Sequence, residues 1–433
     1  MRVENRTKLL SVLKNSKENQ IAIDLQHNDY GIIKVDNKHN IEFYSSSYSP
    51  LKINLIIQNK SSNITIKNLN LASSESPETR INKKTKKPYL YVPFIIQSLN
   101  GTKNITISNC ILSSYAVEET ENSKNTKYKT PENNTLTELD VSEGNLPTTE
   151  WVSGVNMRCK NGLVKNNIFT KLKVAMQAGS AASCSKCEVN TIESNLVQFF
   201  SEDGIRGIGH NVHINNNRIF DPILFDGTLP ENNNHQDAIQ IFPTRNTYCG
   251  GVLENISITN NEISVIKGAS LDWLGTCLQG IFASDGYLKS ITIKGNTVAV
   301  NSAHGISING PYDVLIEDNT VLLLQNSYGG FGCQQGPTTN SDILEHPGLK
   351  LNYTRTCNGR YWVWRDDKKF KYSVTILNNN SPCLLIPERN TQEELDRFVV
   401  TRFENTQGKE NTFIAEGYSD KRRNSCPKDK KCQ

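Results

Sequence analysis

The chain is 433 residues long, with 36% hydrophobic and 21% charged residues and a formal net charge of +4. That length can bury a sizeable core, either in two or three domains or in one long solenoid. The charge is too small to argue for nucleic acid as the partner, no stretch approaches the roughly 18 consecutive apolar residues of a membrane span, and collagen, coiled coil and disulfide miniprotein are excluded.

Asparagine fills the gap left by the low apolar content, at about 12% of the chain against far lower ordinary usage. The N-terminal MRVENRTKLLSVLKNSKENQ has no apolar run of the kind a secretory signal needs. Residues 1–45 read as an N-terminal cap and first coil, the latter beginning at IAIDLQHNDYGIIKV.

From there a short segment recurs: alternating Ile, Val or Leu, then Asn, then an apolar residue. In chain order the copies are NITIKNLNL (63–71), NITISNCIL (104–112), GLVKNNIFT (162–170), CEVNTIESNLV (187–197), NVHINNNRIF (211–220), NISITNNEIS (255–264), SITIKGNTVAV (290–300), DVLIEDNTVLL (313–323) and SVTILNNNS (373–381). A period of two with β-branched residues is a strand signal, and Asn after each strand suits a tight bend. The bend residues Asn195 and Asn217, and Asn296 and Asn319, are spaced by one short coil each. Such a repeat predicts an all-β fold, a single-stranded parallel β-helix with the bend asparagines stacked into an amide ladder. A second family of strands precedes the bends: SGVNM (153–157), DGIRGIG (203–209), DAIQIF (237–242), QGIFA (279–283) and HGISI (304–308). Each has a small residue near its start, and together they form one sheet.

Residues 74–88, 114–150 and 221–234 read as surface-loop insertions in a helix spanning 46–330. Residues 331–433, where the periodicity fades, read as a C-terminal cap and a charged tail. The 11 cysteines are an odd number, so at least one has no partner within the chain. Cys184 and Cys187 lack the second pair that a structural zinc site requires, and Cys333 with Cys357 is one possible disulfide. Sequons at Asn63, Asn104 and Asn255 carry no weight in a chain this rich in Asn.

On the coil repeat and the pair DGIRGIG and HQDAIQIF (235–242), residues 40–330 resemble the right-handed parallel β-helix proteins of the pectin-lyase-like superfamily. The resemblance implies carbohydrate binding in a groove along one sheet and an extracellular or surface-associated location. It includes lyases, hydrolases and depolymerases, so activity has to be argued from side chains. The strand HGISING is similar to the Gly-His-Gly segment of polygalacturonases, and HQDAIQIF to their paired-Asp strand. Here Gln236 replaces the first Asp, the Gln279 strand intervenes before His304, and no Arg-Ile-Lys follows.

If Ile205, Ile239, Ile281 and Ile306 point inward, Asn156, Arg206, Gln240, Phe282 and Ser307 point outward. Asp203 and Asp237 then stand on neighbouring coils, with Glu202 and His235 beside them. Paired carboxylates can cleave glycosides, hold Ca²⁺, or complete a turn before glycine. Elimination instead needs a base and a cation that neutralises a uronate carboxylate. The expected catalytic set is Asp203, Arg206, His235, Asp237 and His304. The expected substrate contacts are Glu202, Gln240, Gln279, Phe282 and Tyr287, with Tyr287 and Lys289 in the turn after the Gln279 strand. Asp203 and Asp237 are the candidate Ca²⁺ ligands. These features favour a polysaccharide lyase or glycosidase, the alternatives being a non-catalytic carbohydrate-binding or adhesion protein and a structural β-helix.

Overall fold

A computed structural model describes residues 1–16, 20–26, 28–47, 49–83, 86, 88–114, 151–179, 189–220, 222, 236–243, 252–264, 278–283, 287–300, 304–309, 313–323, 348–352, 373–381, 384–385, 398–401, 404–405 and 413–414. The chain winds into a parallel β-helix. Each coil lays a strand on a first face, bends, lays a short strand on a second face, bends again and crosses a third. The first face is a 13-stranded sheet, and the second and third belong to one 20-stranded sheet. That sheet is creased where Ile168–Ala178 and Leu196–Gly207 run on from one face to the other.

The first bend repeats with one geometry. Asn68, Asn109, Asn166, Ser194, Asn216, Asn260, Gly295, Asp318 and Asn378 take positive φ, from 51° to 66°. Asn adopts this left-handed conformation at the least cost among non-glycine residues, so most of these positions are Asn. From Asn166 onward the next residue is the buried asparagine foreseen in the repeat, while the two earlier coils bury Leu69 and Cys110 there. Asn167, Asn195, Asn217, Asn261, Asn296, Asn319 and Asn379 form an unbroken ladder. Each Nδ2 donates to the Oδ1 of the next at 2.8 to 3.0 Å. Each Oδ1 also accepts the backbone N–H of the residue one coil earlier, beginning with Cys110 N–H to Asn167. The second amide hydrogen of each meets a first-face carbonyl, such as Ile192 O from Asn217 and Ile258 O from Asn296. Every polar atom of an internal rung is satisfied without water. Consecutive rungs lie 22, 44, 35, 23 and 60 residues apart from Asn195 onward, yet each step is one coil. The ladder thus continues beyond residue 330, where the sequence pattern fades, and later strands at Phe398–Thr401 and Phe413–Ile414 extend the two sheets.

Between the faces lies one continuous core. Its rows include Ile66, Ile107, Val164, Ile192, Ile214, Ile258, Ile293 and Ile316 from the first face. Leu71, Leu112, Phe169, Val197, Ile219, Ile263 and Val298 come from the second. Met176, Ile205, Ile239, Ile281 and Ile306 come from the third. Each fully buried side chain of this size contributes roughly 1.5–3 kcal/mol. The N-terminal end carries the helix Arg6–Asn15, capped by the Asn5 side chain, which accepts from Lys8 N–H. Leu9 and Leu13 of that helix join the core. Among the described residues no helix is long and apolar enough to cross a membrane.

The small residues at the start of each third-face strand have a steric cause. A Cβ on Gly204 would lie 2.6 Å from Ala238 O, and one on Gly280 would lie 2.1 Å from Gly305 O and 2.4 Å from Val298 Cγ1. Close coil-to-coil approach therefore leaves no room for a Cβ at Gly204 or Gly280, while Ala238 carries one at the equivalent position of its own strand. Of the cysteines, Cys110 and Cys159 are buried, and burial pushes the Cys110 thiol up to about 12. Cys184, Cys187, Cys333 and Cys357 lie outside the described residues.

Three substitutions test this framework. Asn217→Ala strands the donors of Asn195 and the carbonyl of Ile192, and should cost about 2–4 kcal/mol. Asn216→Gly, at the exposed left-handed position beside it, should stay within about 0.5 kcal/mol. Urea unfolding midpoints of the two variants compare them directly. Gly280→Ala should lower stability by about 1–3 kcal/mol through overpacking, and equal midpoints for this variant and the parent would refute the crease argument.

Candidate active site

On the third face the residues expected to point outward do share one row, in which Gln97, Gln177, Arg206, Gln240 and Phe282 are partly exposed while Asn156 and Ser307 are buried. Backbone register aligns Gln97, Asn156, Gln177, Arg206, Gln240, Phe282 and Ser307 on successive strands. Ile205, Ile239, Ile281 and Ile306 alternate with them and are buried. One row nearer the crease, Asp203 pairs with Asp237 and Asp237 with Gln279. Neither carboxylate lies in a bend, so a turn-completing role does not apply to them. Both belong to ladder strands, Leu196–Gly207 and Gln236–Ile241.

A local irregularity shapes the site. Leu172 pairs with Phe200, but Val174 pairs with Asp203, so Ser201 and Glu202 together face the single residue Lys173. Such a bulge bends the strand and re-aims the extra side chain. Glu202 is thereby turned to the surface between two cations. Its Oε1 lies 2.7 Å from Arg206 Nη2 and its Oε2 lies 3.4 Å from Lys173 Nζ. These three side chains are 16 to 18% exposed, which leaves them reachable from solvent. Beneath them Arg206 Nε donates to Asp203 Oδ2, and Asp237 N–H donates to Asp203 Oδ1 at 3.3 Å.

Asp203 and Asp237 are 1% and 0% exposed. Burial is the main cause that raises the Asp203 carboxyl to about 7; Arg206 opposes it, while Asp237 and Glu202 add to it. Burial works against the Arg206 guanidinium, but Asp203 and Glu202 outweigh it and raise its pKa. The site thus has a buried acid floor that titrates near neutrality and a partly exposed rim of one carboxylate between two cations. Along the row, Gln177 Nε2 donates to Asn156 Oδ1 at 3.2 Å. Gln240 and Phe282 are half-buried, and Gln279 is buried with its Oε1 lacking a hydrogen-bond partner among the described residues.

The sequence expectation thus brings together Glu202, Asp203, Arg206, Asp237, Gln240, Gln279 and Phe282 on one face. Lys173 was absent from it, because aligning the coil 168–178 with 196–207 from their starts sets Lys173 opposite Ser201, and only the bulge brings Glu202 to it. Tyr287 and Lys289 are not in a turn on this groove. They belong to Tyr287–Lys294, a strand of the first face. His304 opens the strand His304–Asn309 on the third face, and His235 lies outside the described residues. No group of three or more His, Cys, Asp or Glu side chains suited to a metal ion occurs among the described residues. The Asp203 donor set for Ca²⁺ is already shared with a guanidinium.

No protein-family model matches the sequence. No curated protein matches it either. Solved structures similar to it include the thermostable pectate lyase PL 47, at 15% identity and a TM-score of 0.41 over 68% of this chain and 78% of that one. The mannuronan C-5 epimerase A-module of Azotobacter vinelandii is similar at 9% identity and a TM-score of 0.45, covering 92% and 90%. A PL6 polysaccharide lyase of Pseudopedobacter saltans is similar at 13% identity and a TM-score of 0.32, covering 82% and 92%.

The raised Asp203 pKa has a definite sign. The folded protein holds a proton between about pH 4 and 7 that the unfolded chain releases. Stability from this group is full below about pH 4 and is lost as pH rises to about 7, by at most about 4 kcal/mol. Asp203→Asn should therefore show a flatter melting-temperature profile over that window than the parent. A constant difference between the two from pH 4 to 8 would contradict the assignment.

Proposed function

We propose that the protein binds an acidic polysaccharide along its third face and cleaves it by elimination. The observation that carries this reading is the bulged Glu202 carboxylate held at the surface between Arg206 and Lys173. Elimination from a uronate requires its carboxylate to be neutralised, so that the proton on C5 becomes acidic. Arg206 and Lys173 supply that positive charge from one rim. Glu202, displaced from its cations by the substrate carboxylate, is the proposed base. It takes the C5 proton, the freed electron pair forms the C4–C5 double bond, and the C4–O bond breaks with its oxygen leaving protonated by water. His235, the residue before the Gln236–Ile241 strand, and His304 are the alternative bases.

Asp203 then acts from below, fixing Arg206, with Asp237 behind it. Hydrolysis by this Asp pair has less support. A glycosidase places its two carboxyl groups on opposite sides of the scissile bond, about 5–9.5 Å apart with the sugar between them. Asp203 and Asp237 lie side by side on neighbouring strands and are both buried. Ca²⁺ at these carboxylates has less support for the same reason, since Arg206 already engages Asp203. Gln177, Gln240 and Phe282 continue the row as proposed sugar contacts, the ring offering an apolar face for stacking. An extracellular or surface location goes with such a substrate. One observation favours a non-catalytic carbohydrate-binding role instead: both cations already have Glu202 as partner.

A panel of acidic polysaccharides, assayed with Ca²⁺ and with chelator, separates these readings. Elimination yields ultraviolet absorbance from unsaturated uronate together with new reducing ends. Glu202→Gln should lower kcat by about 10²–10⁴, with little change in melting temperature, and Lys173→Gln should chiefly raise KM. New ends without absorbance would replace the lyase reading with hydrolysis. Loss on chelation would restore a metal at the carboxylates. Binding without any product would leave a carbohydrate-binding protein.

A further inference from the structure

Outside this site, one pair of strands among the described residues belongs to neither large sheet. Between Ala72, which ends a second-face strand, and Phe94, which begins a third-face strand, the chain makes an antiparallel hairpin, Glu78–Ile81 with Pro88–Tyr91. It is a two-stranded sheet of its own. Isolated hairpins are marginal in water, and they bury little of what they carry. This one leaves Ile81, Tyr89 and Leu90 exposed at 57%, 45% and 47%. Those are three of the eight exposed large hydrophobic residues among the described part of the chain.

Its two faces differ. Register pairs Arg80 with Tyr89 and Glu78 with Tyr91, so these four share one face, while Thr79, Ile81, Pro88 and Leu90 share the other. On the first face the Arg80 guanidinium lies over the Tyr91 ring, 3.4 Å from its centroid. The tip is closed by Lys86 N–H donating to Asn82 O at 2.8 Å, with Lys83 and Lys86 exposed. Residues 78–91 hold five cations, Arg80, Lys83, Lys84, Lys86 and Lys87, and one anion, Glu78. Their net +4 equals that of the entire chain, so the rest of the protein is neutral on balance.

We infer that this hairpin is a second binding site for the acidic polysaccharide, an arm that holds the chain away from the point of cleavage. The choice of ligand rests on the proposed function. Tyrosine rings offer faces on which sugar rings stack, and guanidinium and ammonium groups pair with uronate carboxylates. Placement supports the same ligand. The hairpin leaves the helix at the crease between the second and third faces, which is also where Lys173 and Glu202 lie. From its strand Phe94–Ser98 the route to Glu202 passes Ser153–Met157 and Ile168–Ala178 to Leu196–Gly207. At about 4.8 Å per strand that is about 14 Å along the groove, a separation one polysaccharide chain spans with several sugar units.

The test is affinity electrophoresis of the full chain in gels containing alginate or polygalacturonate, with dextran as the neutral control. The variants are Lys83→Gln/Lys86→Gln and Tyr89→Ala, both on exposed side chains outside the cleavage site. The lysine variant should bind the acidic polymers about ten-fold more weakly at low salt, with the gap closing as salt rises. Tyr89→Ala should weaken binding at all salt concentrations. Melting temperatures and kcat on short oligosaccharides should not change. Equal retardation of parent and variants, or no retardation of the parent, overturns the arm. Cleavage with unchanged retardation would refute the arm and leave the proposed activity standing. Weakened retardation of the variants with no product from any polymer would do the reverse.

Discussion

The stacked asparagine ladder is the constraint on which the rest of the structure depends. A parallel sheet has no local turn to set its register, and a one-residue slip would turn every inward side chain outward. From Asn167 to Asn379 each coil must return a carboxamide to the same buried corner, where its two donors and its oxygen meet fixed partners. An unpaired carboxamide there would forfeit several buried hydrogen bonds. Register is therefore enforced at one point per coil, and the chain is free to add length elsewhere. The 44- and 60-residue steps between rungs leave the ladder geometry unchanged from that of the 22-residue step.

Fixed register is what makes a site out of distant residues. Asp203 and Asp237 are 34 residues apart in sequence, and Lys173 is a coil earlier, yet strand pairing sets them side by side. The glycine and alanine row at the crease allows the coils to approach closely there. The bulge at Ser201 and Glu202 then breaks the pattern beside Lys173, and a charged side chain that regular alternation would aim elsewhere comes to the surface. Regular structure supplies the platform, and a single added residue supplies the exception on it.

The ladder was legible in the sequence because its cause is local. Left-handed bends select Asn, and β-branched alternation selects strands, so each coil carries its own signature. The row Asn156, Arg206, Gln240, Phe282 and Ser307 was legible for the same reason. Burial of Asp203 and Asp237 was not, because it depends on what the neighbouring coils lay over them. The pairing of Lys173 with Glu202 was hidden by the bulge, since Phe199-Phe200-Ser201 contains no glycine to mark it. Tyr287 and Lys289 were misplaced because a third-face strand passes into a first-face strand with only three residues between Ala283 and Tyr287, too few to announce a new face.

The electrostatics of the site follow from layering. Two carboxylates deep under a sheet would repel and desolvate one another, and the raised Asp203 pKa records that cost. Arg206 offsets it by reaching down to Asp203 while its other nitrogen meets Glu202 at the rim. The guanidinium is thereby held at two levels, with little freedom left to lose when an anion arrives. A flexible surface arginine would surrender that freedom on binding, at a cost of about 0.5–1.5 kcal/mol for a side chain of this kind. Burying acid beneath a cation thus has a functional logic. The floor gives up stability above about pH 4 and in return presents a rigid positive charge to whatever lies along the groove.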